Sequence, residues 1–279
     1  MNTVKSPPFL RSSRARNSGF SLLALQSFSL FPVLLEARHI SRAWGAGTIL
    51  DDVSFRIQAG ESTAITGPSG SGKTTLLSIL ALLLRADSGS ILINGWDSLA
   101  LSDAERAFVR NTFFGFVFQT AQLIGSLTVL DNVLLPSLLA GRAARERGHV
   151  RSAHDCRHRA RALLDRLGLA ERAAHLPHML SNGQRRRVAL ARALLLRPPV
   201  VLADEPTNDL DPRNAAAVAD FLLGLPAGGH ALVLVSHDPE LAVRANNRWR
   251  LEAGHLTPAS PGEATFTRSP ANPETASQL

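Results

Sequence analysis

The chain has 279 residues, 45% of them hydrophobic and 19% charged, and its 30 Lys and Arg against 23 Asp and Glu give a formal net charge of +7. That length holds one large domain or two small ones with a substantial core. Cys156 is the only cysteine, which excludes an intramolecular disulfide and a cysteine-built metal cage, and the basic excess is scattered Arg on polar helical segments, so no nucleic acid is expected as a partner.

Residues 1–33 read as an N-terminal extension. Before Glu36 the chain has no acid; Lys5, Arg11, Arg14 and Arg16 precede Phe20, Leu22, Leu23, Leu25, Phe28, Leu30 and Phe31, an order that resembles a signal peptide. Gln26 and Pro32 break that apolar run and no clear A-x-A site follows, so a disordered extension or a start assigned too far upstream is the expectation. No uninterrupted apolar stretch reaches the roughly 20 residues a spanning helix needs, which assigns any membrane pore to another polypeptide.

From residue 34 the pattern becomes regular. Strands are expected at Leu35–Ile40, Val53–Ile57 and Ser62–Thr66, separated by turn residues such as Gly45, Gly47 and Gly60. A glycine-rich loop follows, and then a helix over Thr74–Leu84, where Leu76, Leu77, Leu80 and Leu84 recur at helical spacing. Further strands are expected at Ser90–Ile93, Phe113–Phe118, Val200–Ala203 and Ala231–Val235, with helices between the later ones, which implies a mostly parallel α/β core. Residues 120–182 read instead as an inserted helical subdomain, including an Arg-rich stretch from Arg142 to Arg172 with Leu163, Leu164, Leu167 and Leu169 on one face. The domain is expected to span 34–256, and the Pro, Ser, Thr and Gly content of residues 257–279 reads as a disordered tail.

Gly67-Pro68-Ser69-Gly70-Ser71-Gly72-Lys73-Thr74, followed by Thr75, satisfies the phosphate-loop pattern G-x-x-x-x-G-K-[ST] between a strand and a helix. Small residues let backbone N–H groups converge on phosphate oxygens, and the helix N-terminus adds partial positive charge. Lys73 supplies a point charge for the β- and γ-phosphates of ATP, and the Thr74 hydroxyl is placed to ligate Mg²⁺. The apolar run Val200–Ala203 leads into Asp204-Glu205, so both carboxylates emerge at a strand's C-terminal end, where α/β sheets place ligands. Asp204 is expected to hold Mg²⁺ and Glu205 to orient and deprotonate the attacking water.

Leu180-Ser181-Asn182-Gly183-Gln184, ahead of a helix carrying Val188, Leu190, Ala191 and Leu194, resembles the LSGGQ signature of ABC transporter ATPases. With it the chain from about 34 to 256 resembles their ATPase domains: phosphate loop, Gln119, signature, Asp204-Glu205 and His237 follow in that order. The resemblance implies a P-loop NTPase fold with a RecA-like core, an antiparallel β subdomain and the inserted helical subdomain. It implies Gln119 as the Q-loop residue linking Mg²⁺ or water to the helical part, His237 as the switch histidine, Trp44 as the adenine-stacking aromatic and Asp211 as the D-loop aspartate at a dimer interface. Ser181, Gly183 and Gln184 would meet the ATP of a second, identical subunit. Asn182 stands where the signature's first glycine is usual, and because Asn tolerates left-handed backbone the turn is expected to survive.

Phe114-Gly-Phe-Val-Phe-Gln119, Leu127-Thr-Val-Leu-Asp-Asn-Val133 and Ala203-Asp-Glu-Pro-Thr207 resemble the lipoprotein-releasing and macrolide-efflux type of ABC ATPase. That resemblance implies an ATPase at the cytoplasmic face of the inner membrane that drives an integral membrane permease, with a mechanotransmission or export role. Two alternatives are a soluble ABC protein acting on ribosomes or DNA, which usually has two nucleotide domains or a long coiled coil, and a hydrolysis-impaired regulatory subunit.

Overall fold

The computed structural model describes residues 33–45, 47–140 and 152–259. The expected extension, part of the Arg-rich stretch and most of the expected tail lie outside the described residues. Two sheets form the frame. The first is antiparallel, with β1 (Val33–Trp44), β2 (Gly47–Gln58), β4 (Ser88–Ile93) and β5 (Trp96–Asp97) in the order β2-β1-β4-β5. In the second, β3 (Ser62–Thr66), β6 (Phe114–Val117), β7 (Val200–Asp204), β8 (Ala231–Val235), β9 (Asn247–Glu252) and β10 (His255–Pro258) run in the order β10-β9-β3-β8-β7-β6. All neighbours in that sheet are parallel except the β9–β10 hairpin at its edge.

The near-continuous apolar runs of the parallel strands follow from burial on both faces. Ala64, Val201, Ala203, Leu232 and Leu234 face one core, with the helices α3 (Val129–Leu139), α4 (Ala153–Arg166), α5 (Asn182–Leu194) and α6 (Pro212–Leu223). The alternate residues Ile65, Val200, Leu202, Val233 and Val235 face a second core, shared with Leu34, Ile40, Leu50 and Ile57 of the antiparallel sheet. The antiparallel sheet on one face and the helical layer on the other therefore sandwich the parallel strands, whose C-terminal ends open on one side.

The element bounds differ from expectation in ways with local causes. The helix after the phosphate loop, α1, spans Lys73–Leu80 and stops short of Leu84 because Leu82 takes a left-handed φ of 58° while the Leu83 and Leu84 N–H groups both close on the Ser78 carbonyl. Phe113 is the last residue of α2 (Asp103–Phe113), not the first of a strand. That helix begins with a capping box in which Ser102 and Glu105 exchange hydrogen bonds with each other's backbone N–H, a pattern present in the sequence but not used there. Neither β9 nor β10 was expected. They pair through a two-residue turn, Ala253-Gly254, with both φ angles positive, 49° and 86°.

Candidate active site

The site begins where β3 meets α1. Gly67 carries φ 151°, and a Cβ there would lie 2.1 Å from the Leu251 carbonyl oxygen on β9, so the loop leaves the sheet through a gap only glycine fits. Gly72, at φ 97°, is the N-cap of α1, and a Cβ on it would meet Ile49 Cγ2 at 2.7 Å. The β2 strand of the antiparallel sheet thus presses on the end of the loop and fixes the start of α1. Lys73 is the first residue of that helix, 7% exposed, and its Nζ donates to the Gly67 and Pro68 carbonyls at 3.0 and 2.7 Å. Burial pushes the Lys73 ammonium below its ordinary range, against the pull of Glu205 and Asp204.

Asp204 ends β7 beneath the loop and is 4% exposed. The Thr74 hydroxyl donates to its carboxylate at 2.9 and 3.2 Å. Burial raises the Asp204 carboxyl above the usual range, opposed by the Thr74 hydrogen bond and by the Lys73 and Arg186 charges. Glu205 follows in a left-handed conformation, φ 45°, sparsely populated for a residue with a side chain and held by its N–H bond to the Val235 carbonyl at 3.0 Å. Its carboxylate Oε2 lies 2.9 Å from His237 Nδ1 and accepts from the His237 backbone N–H at 3.3 Å. His237 leaves the end of β8, and Gln119 leaves the end of β6 through Phe118.

A groove of about 560 Å³ runs over these strand ends, lined by Ile49, Ser69, Gly70, Gly72, Lys73, Thr74, Thr75, Gln119, Glu205, Asn208 and His237. One groove therefore gathers Gln119, Glu205, His237 and the phosphate loop from four loops, with Asp204 hydrogen-bonded to Thr74 below it. Ile49 and Asn208 were not expected here. Trp44 is not part of that lining: it ends β1, 54% exposed, with the Arg42 guanidinium 4.5 Å from its ring centroid.

The signature residues also lie outside the groove. Ser181 caps α5: its Oγ accepts from the Gln184 N–H at 3.2 Å, and the Gln184 carboxamide accepts from the Ser181 N–H at 2.9 Å. Asn182 is the first residue of that helix and does not adopt a positive φ. The turn therefore survives the loss of glycine because nothing there requires left-handed backbone, which corrects the reason expected from sequence. Its Oδ1 accepts from Arg185 Nη2 at 2.6 Å. Gly183 packs so that a Cβ would lie 2.8 Å from Asn214 Cγ, and Asn214 in turn donates to Asp211, the N-cap of α6, at 2.5 Å. Signature and D-loop are thus in contact within one chain, away from that chain's own phosphate loop.

Comparison with known proteins agrees with this geometry. The family model for ABC transporters matches residues 50–208. The chain is 47% identical over 210 residues to the lipoprotein-releasing system ATP-binding protein LolD 1 of Rhodopirellula baltica, covering 75% of this chain and 88% of that protein. To LolD of Bordetella avium it is 43% identical over 229 residues, 80% of this chain and 96% of that one. The pyoverdine export ATP-binding/permease protein PvdT of Pseudomonas aeruginosa is 45% identical over 228 residues, but the match spans only 33% of its length. Among solved structures, the dimeric post-hydrolysis state of the ATP-binding cassette MJ0796 bound to ADP and Pi superposes with a TM-score of 0.72 at 34% identity, over 80% of this chain and 96% of that one. The family match runs from β2 through the phosphate loop and the signature to the turn after Glu205, and the chain therefore belongs to the ABC transporter family, as an ATP-binding, ATP-hydrolysing subunit.

Proposed function

We propose that two copies of this chain close head to tail around two ATP molecules and that closure and reopening drive a separate membrane permease of the lipoprotein-releasing or macrolide-efflux kind. The observation that carries the reading is the split of the site. Lys73, Thr74, Glu205 and His237 share one groove, while Ser181, Gly183 and Gln184 lie outside it, so a second copy is needed to bring a signature over each ATP. The dimeric state of the MJ0796 cassette and the permease joined to PvdT's ATP-binding part favour the same assembly.

In this reading the backbone N–H groups of residues 67–75 cradle the phosphates, Lys73 exchanges its loop carbonyls for β- and γ-phosphate oxygens, and Trp44 stacks on the adenine by its solvent face. Glu205 accepts a proton from the attacking water, and His237, held by the same carboxylate, faces the γ-phosphate. The donor set suits magnesium. Asp204 and Thr74 offer hard oxygens in hydrogen-bond contact, with Gln119 in the same groove, and among the described residues no group of His, Cys, Asp and Glu would make an all-protein cage. A Mg²⁺ held there neutralises charge on the ATP phosphates. Asp211, at the start of α6, crosses the dimer interface.

No helix among the described residues is long and apolar enough to cross a membrane. A groove of about 290 Å³ beside α3, with Phe114, Phe116, Phe118, Leu135 and Leu139 in its wall and Arg110 and Arg192 also lining it, and with Leu138 and Leu139 62% and 75% exposed, would offer the permease a seat of mixed apolar and basic character. With a permease of that kind as partner, the subunit would work at the cytoplasmic face of the inner membrane, where ATP is supplied.

The test is Glu205→Gln. It keeps an acceptor for His237 but removes the base, so ATP binding and ATP-driven dimerisation persist while hydrolysis slows about 10²- to 10⁴-fold. Turnover near that of the parent overturns the role of Glu205, and a strictly monomeric E205Q at saturating Mg-ATP overturns the head-to-tail dimer.

A further inference from the structure

Arg186 is charged, 6% exposed, and not part of the chemistry above. It sits on α5, two residues past the signature, and its guanidinium reaches two loops at once. Nη1 donates to the Phe118 carbonyl at 2.8 Å and Nη2 to the Asn208 carbonyl at 3.2 Å. Phe118 is the residue before Gln119, and the Asn208 N–H donates to the Glu205 carbonyl at 3.2 Å. One side chain therefore ties the signature helix to the backbone beside both Gln119 and Glu205.

Such a placement is costly. Burial lowers the pKa of Arg186, opposed by the nearby Asp209 and Asp204 charges, and a guanidinium removed from water needs its donors filled with good geometry. An apolar side chain of similar volume would fill the space without that penalty. What it could not do is hold two carbonyls from loops separated by most of the helical region. Farther along α5, Arg192 donates to the Ala121 and Gln122 carbonyls, each at 2.8 Å, so the segment around Gln119 is held on both sides by one helix.

We infer that Arg186 is a positioning residue for hydrolysis: by holding the Phe118 and Asn208 carbonyls from one guanidinium, it fixes Gln119 and Glu205 to the helix that carries the signature. Movement of that helix, when its Ser181 end engages the other copy's ATP, is then transmitted to both loops of its own site. The inference rests on the dimer reading above, and Glu205→Gln is run beside it so that the two can fail separately.

Arg186→Met keeps the volume and removes the donors. Under single-turnover conditions at saturating Mg-ATP, the hydrolysis rate should fall on the order of 10- to 10²-fold, the size expected when catalytic groups are displaced by a fraction of an ångström to an ångström. The dissociation constant for ATP should stay within about threefold, because the phosphate loop is untouched. Arg186→Lys, which keeps the charge and can reach the carbonyls, should regain a rate between the two. A rate within twofold of the parent in R186M overturns the inference. So does a loss in which rate and affinity fall together and R186K rescues neither, since that is a general packing defect. If R186M does not fold, Arg186→Gln, whose carboxamide can serve only one carbonyl, carries the comparison: a slowed rate at parent affinity supports the inference, and the parent rate overturns it. Parent-like hydrolysis in E205Q would instead sink the assignment of Glu205, whatever R186M does.

Discussion

Asp204→Asn should make the nucleotide-free protein more stable while it abolishes hydrolysis. The parent carboxylate is 4% exposed, its hydrogen-bond partner is the Thr74 hydroxyl, and burial outweighs the Lys73 and Arg186 charges in raising its pKa. Since the folded pKa lies above the unfolded one, the fold favours the protonated form. The stability this contributes is fully present below the unfolded pKa and is lost as pH rises through the folded one. Asparagine is neutral at every pH, keeps an oxygen for Thr74, and avoids the loss. It also removes one of two carboxylates facing Lys73, which offsets part of the gain. A net increase of about 0.5–2 kcal/mol is the usual yield of relieving an active-site compromise, and for a domain of this size each kcal/mol is worth about 2–4 °C in Tm. The assay is scanning calorimetry without nucleotide on both proteins across a pH series. The difference in Tm should be largest near neutral pH and shrink as the medium becomes acid. A D204N protein that melts below the parent at neutral pH, or a difference independent of pH, refutes the account of a carboxylate held against its own solvation. Excess Mg-ATP should reverse the order, since only the parent gains from a bound cation.

Asn182→Gly should leave ATP-driven dimerisation of the E205Q background within about threefold, because Asn182 occupies an ordinary helical position and glycine at the first helical residue costs at most about 1 kcal/mol; a tenfold change by light scattering or sedimentation would show that the Asn182–Arg185 contact matters to the partner. Gly115→Ala should lower Tm, since the new Cβ would stand 2.6 Å from the Ala193 carbonyl and 2.8 Å from Pro198 Cγ, pressing β6 away from α5. Overpacking of this kind costs about 1–3 kcal/mol, and parent-like melting would show that the strand and helix separate more easily than their contact implies.

The parts of the site legible in the sequence are those whose chemistry demands adjacent residues. A phosphate cradle needs consecutive small residues with Lys and Thr behind them, and paired carboxylates at a buried strand's end announce themselves by the apolar run before them. Parallel strands buried on both faces read clearly for the same reason. The edge hairpin did not: Asn247-Arg-Trp-Arg-Leu-Glu252 has no clean alternation, and it is a strand because β3 offers it a parallel partner. Arg186 was not legible either. It stands between Arg185 and Arg187, and only the way α5 docks in the fold decides which of the three guanidinium groups reaches the Phe118 and Asn208 carbonyls. Asn208 lay just past a motif that had already explained its neighbours, and Trp44 was legible as an aromatic without its Arg42 backing.

The contact between signature and D-loop within one chain bears on how the two half-sites of the proposed dimer would be coupled. Gly183 leaves room only for the Asn214 carboxamide, Asn214 is bound to Asp211, and Arg186 on the same helix holds the carbonyl of Asn208. The start of α5 therefore cannot move without displacing the segment from Asn208 to Asp211, and that segment begins at the strained Glu205, whose backbone and side chain are tied to β8 through Val235 and His237. Strain at Glu205 is tolerable because both ties act on it, and it makes that residue sensitive to small shifts of the segment that follows. In the proposed dimer, a signature engaged by the other copy's ATP would thus pull on Glu205 of its own site, while Asp211 would reach toward the other. Two sites built this way would share their mechanical parts, so that hydrolysis at one would be sensed at the other without any additional element.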